Sequence, residues 1–128
     1  MVVDTSALVA ILLGEAQADA LSQSLASADI AVISAPNWLE AMIVVRARLG
    51  EPGTQALLQL MDAAQLMIEP ADAALVQRAW AAWQRYGKGR HPAGLNFGDC
   101  FAYALAAIRG EPLLFKGEDF ALTDLRPA

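Results

Sequence analysis

Short apolar segments alternate with longer helical segments along the chain, and this alternation restricts the fold more than any other feature. The sequence predicts strands at Val2–Asp4, Ile30–Ile33, Leu66–Ile68, Leu113–Phe115 and Thr123–Leu125. The segments between them have apolar residues at helical spacing, and Gly14, Gly50 and Gly110 mark helix ends. Strands that alternate with helices form a mainly parallel sheet covered by helices. We therefore expect an α/β sandwich of about five strands, with residues 1–128 forming one domain.

Composition excludes several classes of protein. The longest apolar run, Ala7–Leu13, is far shorter than the roughly 20 residues that a membrane-spanning helix needs. The single cysteine, Cys100, excludes an intramolecular disulfide and is typical of a reducing compartment. A net charge of −5 argues against a protein that coats nucleic acids without specificity, although it leaves a phosphodiester substrate open. The sequence predicts a cytoplasmic protein without a membrane segment.

Asp4 is the one acidic residue in an apolar run that begins at the first strand. An unpaired carboxylate in such a place costs several kcal/mol to bury, so it needs hydrogen bonds, a proton or a cation. In parallel sheets, ligands bind beyond the carboxyl ends of the strands. Asp4 stands at such an end and is the first candidate site residue.

Three other acids occupy comparable positions. Glu40 lies one turn into the helix after the second strand, Asp99 lies in an apolar helix, and Asp119 follows the fourth strand. Four carboxylates at one edge of a sheet would repel one another unless divalent cations lay between them. Hard oxygen ligands without cysteine favour Mg²⁺ or Mn²⁺ over zinc. Because one or two such ions activate water in phosphodiester cleavage, the pattern predicts a metal-dependent nuclease.

Three of these acids also have a purely structural interpretation, whereas few structural reasons account for Asp4. Asp99 follows Asn96 by three residues and could be a first-turn acid stabilised by the helix dipole. Glu40 could pair with an arginine on the helix surface, and Asp119 could be an ordinary loop residue. One shared site explains all four acids together, so we favour it over separate explanations.

A basic loop follows the helical segment that ends near Tyr86. Lys88, Arg90 and His91 are candidates for contacts with an RNA backbone, which are salt-sensitive and independent of sequence. Basic side chains after a helix also stabilise its dipole, and His91 could be a loop hydrogen-bonding residue or a catalytic base. The three tryptophans are interpreted as core or subunit-interface residues rather than platforms for base stacking: Trp38, Trp80 and Trp83.

Several of these motifs together resemble one family, the PIN-domain ribonucleases of the VapC toxin type. The matching stretches are Val2-Val3-Asp4-Thr5-Ser6-Ala7, Leu39-Glu40, Gly94-Leu95-Asn96-Phe97-Gly98-Asp99-Cys100 and Leu113-Leu114-Phe115-Lys116-Gly117-Glu118-Asp119-Phe120. The resemblance extends over essentially the whole chain. It implies a homodimer and the toxin half of a type II toxin–antitoxin pair, with a VapB-like antitoxin as partner.

The resemblance also implies a chemistry and a role for each acid. The activity would be that of an Mg²⁺-dependent endoribonuclease, in which a metal-activated water cleaves the RNA phosphodiester. Metal ligation falls on Asp4 and Asp99, while Glu40 and Asp119 complete the acidic pocket. Ser6 would orient Asp4 or a water.

Two other functions remain open from the residues. A catalytically inactive PIN-like module could bind RNA or a partner without cutting it. A phosphotransfer domain could use Asp4 as the acceptor, but Ser6 stands where the haloacid-dehalogenase motif has a second acid.

Overall fold

The computed structural model describes residues 1–128, and at its centre lies a parallel four-stranded sheet. The strands are β1 (Val2–Val3), β2 (Val32–Ser34), β3 (Met67–Glu69) and β4 (Leu113–Leu114), in the order β3-β2-β1-β4. In β1, which lies between β2 and β4, Val2 pairs with Val32 on one side and with Leu113 on the other. The α/β architecture predicted from the alternation of strands and helices is confirmed.

The prediction of five strands is wrong by one. Thr123–Leu125 form no strand, because the Thr123 hydroxyl donates to the carbonyl oxygen of Phe120 at 2.6 Å and accepts from the Leu125 amide at 3.3 Å. Such local bonds compete with strand pairing. Only an isolated bridge between Leu113 and Pro127 extends the sheet on this side.

Five α-helices connect the strands, and a short 3₁₀ helix follows β4. They are α1 (Thr5–Leu12), α2 (Ala18–Ala26), α3 (Ala35–Ala64), α4 (Ala73–Tyr86), α5 (Phe97–Arg109) and the 3₁₀ helix Phe120–Leu122. The helix end predicted at Gly50 is a kink within α3, where Gly50 has φ 70° and ψ −160°. Glycine adopts this backbone conformation without a steric penalty, and Pro52 follows two residues later.

The strands divide the core into two layers. Val2, Val32 and Leu113 pack towards α4 and α5. Their neighbours Val3, Ile33 and Leu114 belong to the cluster formed with α1, α2 and α3. Successive side chains of a strand point to opposite faces, so both faces of β1, β2 and β4 are apolar, as in parallel sheets covered on both sides. None of the helices has the length and apolar composition needed to span a bilayer.

Candidate functional site

Asp4 joins the end of β1 to the beginning of α1. Its backbone amide donates to the Leu114 carbonyl oxygen at 2.9 Å, and its Oδ2 caps α1 by accepting from the Ser6 amide at 2.9 Å. The residue is only 3% exposed, and Oδ1 is buried without a hydrogen-bond partner. Burial raises the pKa of this carboxyl, and the nearby charge of Glu40 raises it further. The fold therefore holds a carboxylate oxygen in an apolar setting without satisfying it.

Asp99 occupies the first turn of α5 and forms a capping box with Asn96. Its Oδ2 accepts from the Asn96 amide at 3.0 Å, and its own amide donates to Asn96 Oδ1 at 2.9 Å. Burial is the main cause that raises the pKa of Asp99 to about 6, and the charges of Asp4, Asp119 and Glu40 contribute. The helix-capping interpretation of Asp99 thus accounts for Oδ2 only, because the other oxygen makes no hydrogen bond.

Glu40 lies against the backbone of α5. A Cβ on Gly98 would be 2.8 Å from both Oε1 and Oε2 of Glu40, a distance that real Cβ atoms do not tolerate. Glycine at this position lets the carboxylate pack beside Asp99. Glu40 forms no ion pair, and Arg46 on the same helix pairs with Glu51 instead. The structure therefore does not support the interpretation of Glu40 as a partner of a surface arginine.

Asp119 approaches the site from the segment that follows β4. It is exposed and precedes the 3₁₀ helix without capping it through its side chain. Its negative charge reaches Asp99, whose pKa it raises. Ser6 connects this segment to α1, since its hydroxyl accepts from the Lys116 amide at 3.0 Å. All four predicted acids consequently lie at one edge of the sheet.

A buried polar network that our sequence interpretation missed lies beneath the acids. Asn37 is completely buried, and its side-chain amide donates to the Gly98 carbonyl oxygen at 2.9 Å. The Ser34 hydroxyl donates to Asn37 Oδ1 at 2.5 Å, and the Thr5 hydroxyl donates to the Asn37 carbonyl oxygen at 2.9 Å. The sequence signal was available: Asn37 is a polar residue in an apolar stretch, as Asp4 is.

The donors at this edge suit a hard divalent cation. No group of three or more His, Cys, Asp or Glu side chains is arranged as a ready-made metal site. Mg²⁺ does not require one, because it usually keeps several waters and is held by one or two carboxylates. Asp4 and Asp99 each have one oxygen held by a backbone amide and one oxygen without a hydrogen bond, so these two residues could hold the ion in a fixed position. The carboxylates of Glu40 and Asp119 accept no hydrogen bond at all and lie beside them. The unsatisfied, buried Oδ1 of Asp4 fits this role.

The side-chain contacts of the basic loop involve none of the four acids. The Arg90 guanidinium lies 4.9 Å from the centre of the Trp83 ring, and its Nε donates to the Gln84 carbonyl oxygen at 3.3 Å. His91 Nδ1 accepts from the Ala93 amide at 3.0 Å. Lys88 is exposed and forms no ion pair. The side chains of Arg90 and His91 thus have structural contacts, whereas the side chain of Lys88 forms no hydrogen bond or ion pair.

Exposed apolar side chains border the acidic edge. Phe97, at the beginning of α5, is 79% exposed and lies between two apolar grooves. One groove runs between α4 and α5 and includes Trp80, which is 59% exposed and therefore not a core residue. The other is lined by α3 residues, among them Leu39 and Glu40 itself. Apolar surface of this kind is typical of a face that binds another protein chain.

Comparison with known proteins gives consistent matches over nearly the whole chain. Residues 1–125 match the family model described as PIN domain. A Ribonuclease VapC from Mycolicibacterium smegmatis is 50% identical over 125 residues, covering 98% of this chain and 97% of that protein. Ribonuclease VapC30 from Mycobacterium tuberculosis is 47% identical over 125 residues, covering 98% of this chain and 95% of that protein.

Two solved structures share the fold. One is VapC20 from M. tuberculosis, described as a toxin that cleaves the sarcin-ricin loop, with a TM-score of 0.77, 21% identity and 98% of each chain covered. The other is a toxin–antitoxin complex from Klebsiella pneumoniae, with a TM-score of 0.67 and 23% identity. It covers 94% of this chain and 89% of that one. At these identities the likeness concerns the fold alone.

Proposed function

The chain belongs to the PIN-domain family, among the VapC ribonucleases, and from this premise we propose that it is an endoribonuclease toxin that depends on Mg²⁺, for which Mn²⁺ can substitute. One observation carries the metal dependence. Asp4 Oδ1 is buried without a hydrogen bond beside three other carboxylates, and a cation is the partner that offsets both its burial and the repulsion among the acids.

Asp4 and Asp99 are the proposed metal ligands, and Glu40 and Asp119 would complete the acidic pocket, partly through bound waters. When bound, Mg²⁺ activates the attacking water and stabilises the leaving oxygen of the phosphodiester. The residues of the chain fix the place where the ion would bind. The Ser6 amide fixes one oxygen of Asp4, and the Asn96 amide fixes one oxygen of Asp99, so that the other oxygen of each carboxylate remains available.

The charge of the pocket determines whether it can bind a phosphodiester. Four carboxylates without a cation repel a phosphate group, whereas each bound divalent ion cancels two of these negative charges and attracts the phosphate oxygens. Lys88 and Arg90 are proposed to add sequence-independent contacts to the RNA backbone. Because RNA is the substrate, we propose that the protein acts in the cytoplasm.

A chelator and two isosteric substitutions test this function. Purified protein should cut total bacterial RNA to products with 5′-phosphate and 3′-hydroxyl ends when Mg²⁺ is present, and EDTA should abolish the cleavage. Asp4→Asn and Asp99→Asn should fold normally and lose at least a hundredfold in rate, since each removes a proposed metal ligand. Asp29→Asn, an exposed acid outside the site, is the matched control.

A folded Asp4→Asn variant that cuts RNA at the parent's rate would refute the assignment. If the parent protein binds RNA but never cuts it, with or without Mg²⁺, the chain is an inactive PIN-like binding module instead.

We further propose a VapB-like antitoxin as the partner and a homodimer as the assembly. The groove beside Glu40 combines apolar α3 residues with an adjacent cluster of acids, which suits a chain segment with apolar residues and one arginine. Phe97→Ser should weaken copurification with the cognate antitoxin. Ile30→Ser changes an exposed apolar residue elsewhere and should not. Equal copurification of both variants would exclude this face.

A further inference from the structure

We propose that Asn37 is a positioning residue that sets the spacing of three site carboxylates, an inference that rests on the proposed function. Asn37 is completely buried at the beginning of α3. Four of its groups are bonded: the side-chain amide donates to Gly98, the side-chain oxygen and the backbone carbonyl each accept a hydroxyl hydrogen, and the backbone amide donates to the Ser34 hydroxyl. Its place in the chain makes these bonds relevant to the site.

Each bond of Asn37 to another helix ends next to an acid. Thr5, which donates to the Asn37 carbonyl oxygen at 2.9 Å, directly follows Asp4. Gly98, which accepts from the Asn37 amide at 2.9 Å, directly precedes Asp99. Asn37 therefore connects the first turns of α1 and α5 through the first turn of α3.

Glu40 follows Asn37 by one helical turn, so the same residue also fixes the third acid. Side chains three positions apart on a helix are neighbours. The Glu40 carboxylate packs against Gly98, whose carbonyl oxygen is the acceptor of the Asn37 amide. A shift of α3 relative to α5 would thus move Glu40 away from Asp99. Asp119 is outside this network, since its segment is held through Ser6.

The type of residue suits this task. An asparagine side chain presents a donor and an acceptor at once, and Asn37 uses the first on α5 and the second on Ser34. Buried polar networks in which every member is satisfied specify one arrangement. Metal sites respond to such outer partners, and their loss commonly costs 10- to 100-fold in metal affinity or activity.

The test compares substitutions in the network with a matched core substitution. Asn37→Ala removes two side-chain bonds, and Thr5→Val removes one hydroxyl at nearly constant volume. Val45→Ala truncates another completely buried residue of α3. The Val45 side chain makes no hydrogen bond to α1 or α5. Thr5→Ser keeps the hydroxyl. For each variant we would measure Mn²⁺ affinity by titration calorimetry without RNA, and kcat and KM with total bacterial RNA.

Asn37→Ala and Thr5→Val should each lose about tenfold or more in Mn²⁺ affinity and in kcat, with KM within about twofold of the parent. Thr5→Ser should behave as the parent does. Val45→Ala should lower the melting temperature while Mn²⁺ affinity and kcat stay within about twofold. If Asn37→Ala does not fold, the Mn²⁺ affinity and kcat of Thr5→Val test the inference in its place.

Two results would overturn the inference alone: folded network variants that bind Mn²⁺ as the parent does, or a Val45→Ala loss of Mn²⁺ affinity as large as theirs. A parent that neither binds Mn²⁺ nor cuts RNA would instead refute the proposed function, and the inference would fall with it.

Discussion

The carboxylate of Glu40 lies on the backbone of Gly98, with both oxygens 2.8 Å from the position of a Cβ that glycine lacks. Two helices that are distant in sequence thus meet where one presents an acid and the other presents no side chain. Asp99 is the next residue of α5, so this contact sets how near the two carboxylates lie. The pocket depends on the absence of a methyl group.

Gly98→Ala should therefore separate activity from stability. Alanine favours a helix over glycine by up to about 1 kcal/mol, and the atoms in its way are the mobile end of the Glu40 side chain. We expect little change in the free energy of unfolding and a loss of about tenfold or more in RNA cleavage, because Glu40 must leave its place. Denaturant unfolding and initial cleavage rates measure the two quantities.

The double variant shows whether Gly98 acts through Glu40. In a Glu40→Ala background the added methyl group meets no carboxylate, so Gly98→Ala should cause no further loss of activity. Additive losses would contradict this explanation and would indicate that the methyl group disturbs another part of the site.

Asp99 should make the metal-free protein less stable above pH 6. Its pKa is about 6 in the folded state and 3.8 in the unfolded chain, so between these values the folded state binds more protons. The free energy of unfolding contributed by this group therefore falls as the pH rises from about 4 to about 6. Asp99→Asn removes the effect while its side-chain oxygen can still accept from the Asn96 amide.

In EDTA, Asp99→Asn should melt at a higher temperature than the parent at about pH 7.5, and the difference should shrink towards zero near pH 4. Thermal unfolding followed by circular dichroism at the two pH values measures this. A parent that is the more stable protein at about pH 7.5 would show that Asp99 is stabilised as a charged group, contrary to its buried surroundings.

A divalent metal ion should stabilise the parent but not a variant that lacks a proposed metal ligand. A ligand that binds only the folded state at 100 times its dissociation constant adds about 2.7 kcal/mol to the free energy of unfolding. We expect Mg²⁺ or Mn²⁺ to raise the melting temperature of the parent near pH 7.5 and to leave Asp4→Asn unchanged. Ca²⁺ is a useful comparison, because it prefers more ligands and longer metal–oxygen distances than Mg²⁺ does. An equal shift in Asp4→Asn would place the bound ion elsewhere.

The sequence predicts the layers of this fold well because each signal is local. Apolar strands, the capping residue Asn96 and the proline near the beginning of α3 all act on neighbouring positions. The missing fifth strand depends instead on how Thr123 bonds to Phe120, a choice that a β-branched residue between Leu122 and Asp124 does not reveal.

The acids could be found from the sequence, whereas the contact between their supports, Asn37 and Gly98, could not. Asp4 stands out because a lone charge in an apolar run needs a partner, and its unsatisfied oxygen agrees with that reasoning. Asn37 and Gly98 carry no charge, and their importance comes from a contact between residues 61 positions apart. Only the packing of α3 against α5 makes that contact visible.

Lys88 should contribute to RNA binding and hardly at all to folding. It is exposed and free of ion pairs, whereas Arg90 packs on Trp83 and donates to Gln84. With an inactive Asp4→Asn background and a fixed RNA, Lys88→Ala should weaken binding and lower the slope of log affinity against log salt by about 1. Arg90→Ala should do the same and also lower the melting temperature, because a cation–π contact contributes about 0.5 to 1 kcal/mol at an exposed site. Arg48→Ala, which removes an exposed and unpaired charge on α3, is the control. A salt slope that Lys88→Ala leaves unchanged would assign the loop to stabilising the end of α4 and not to RNA.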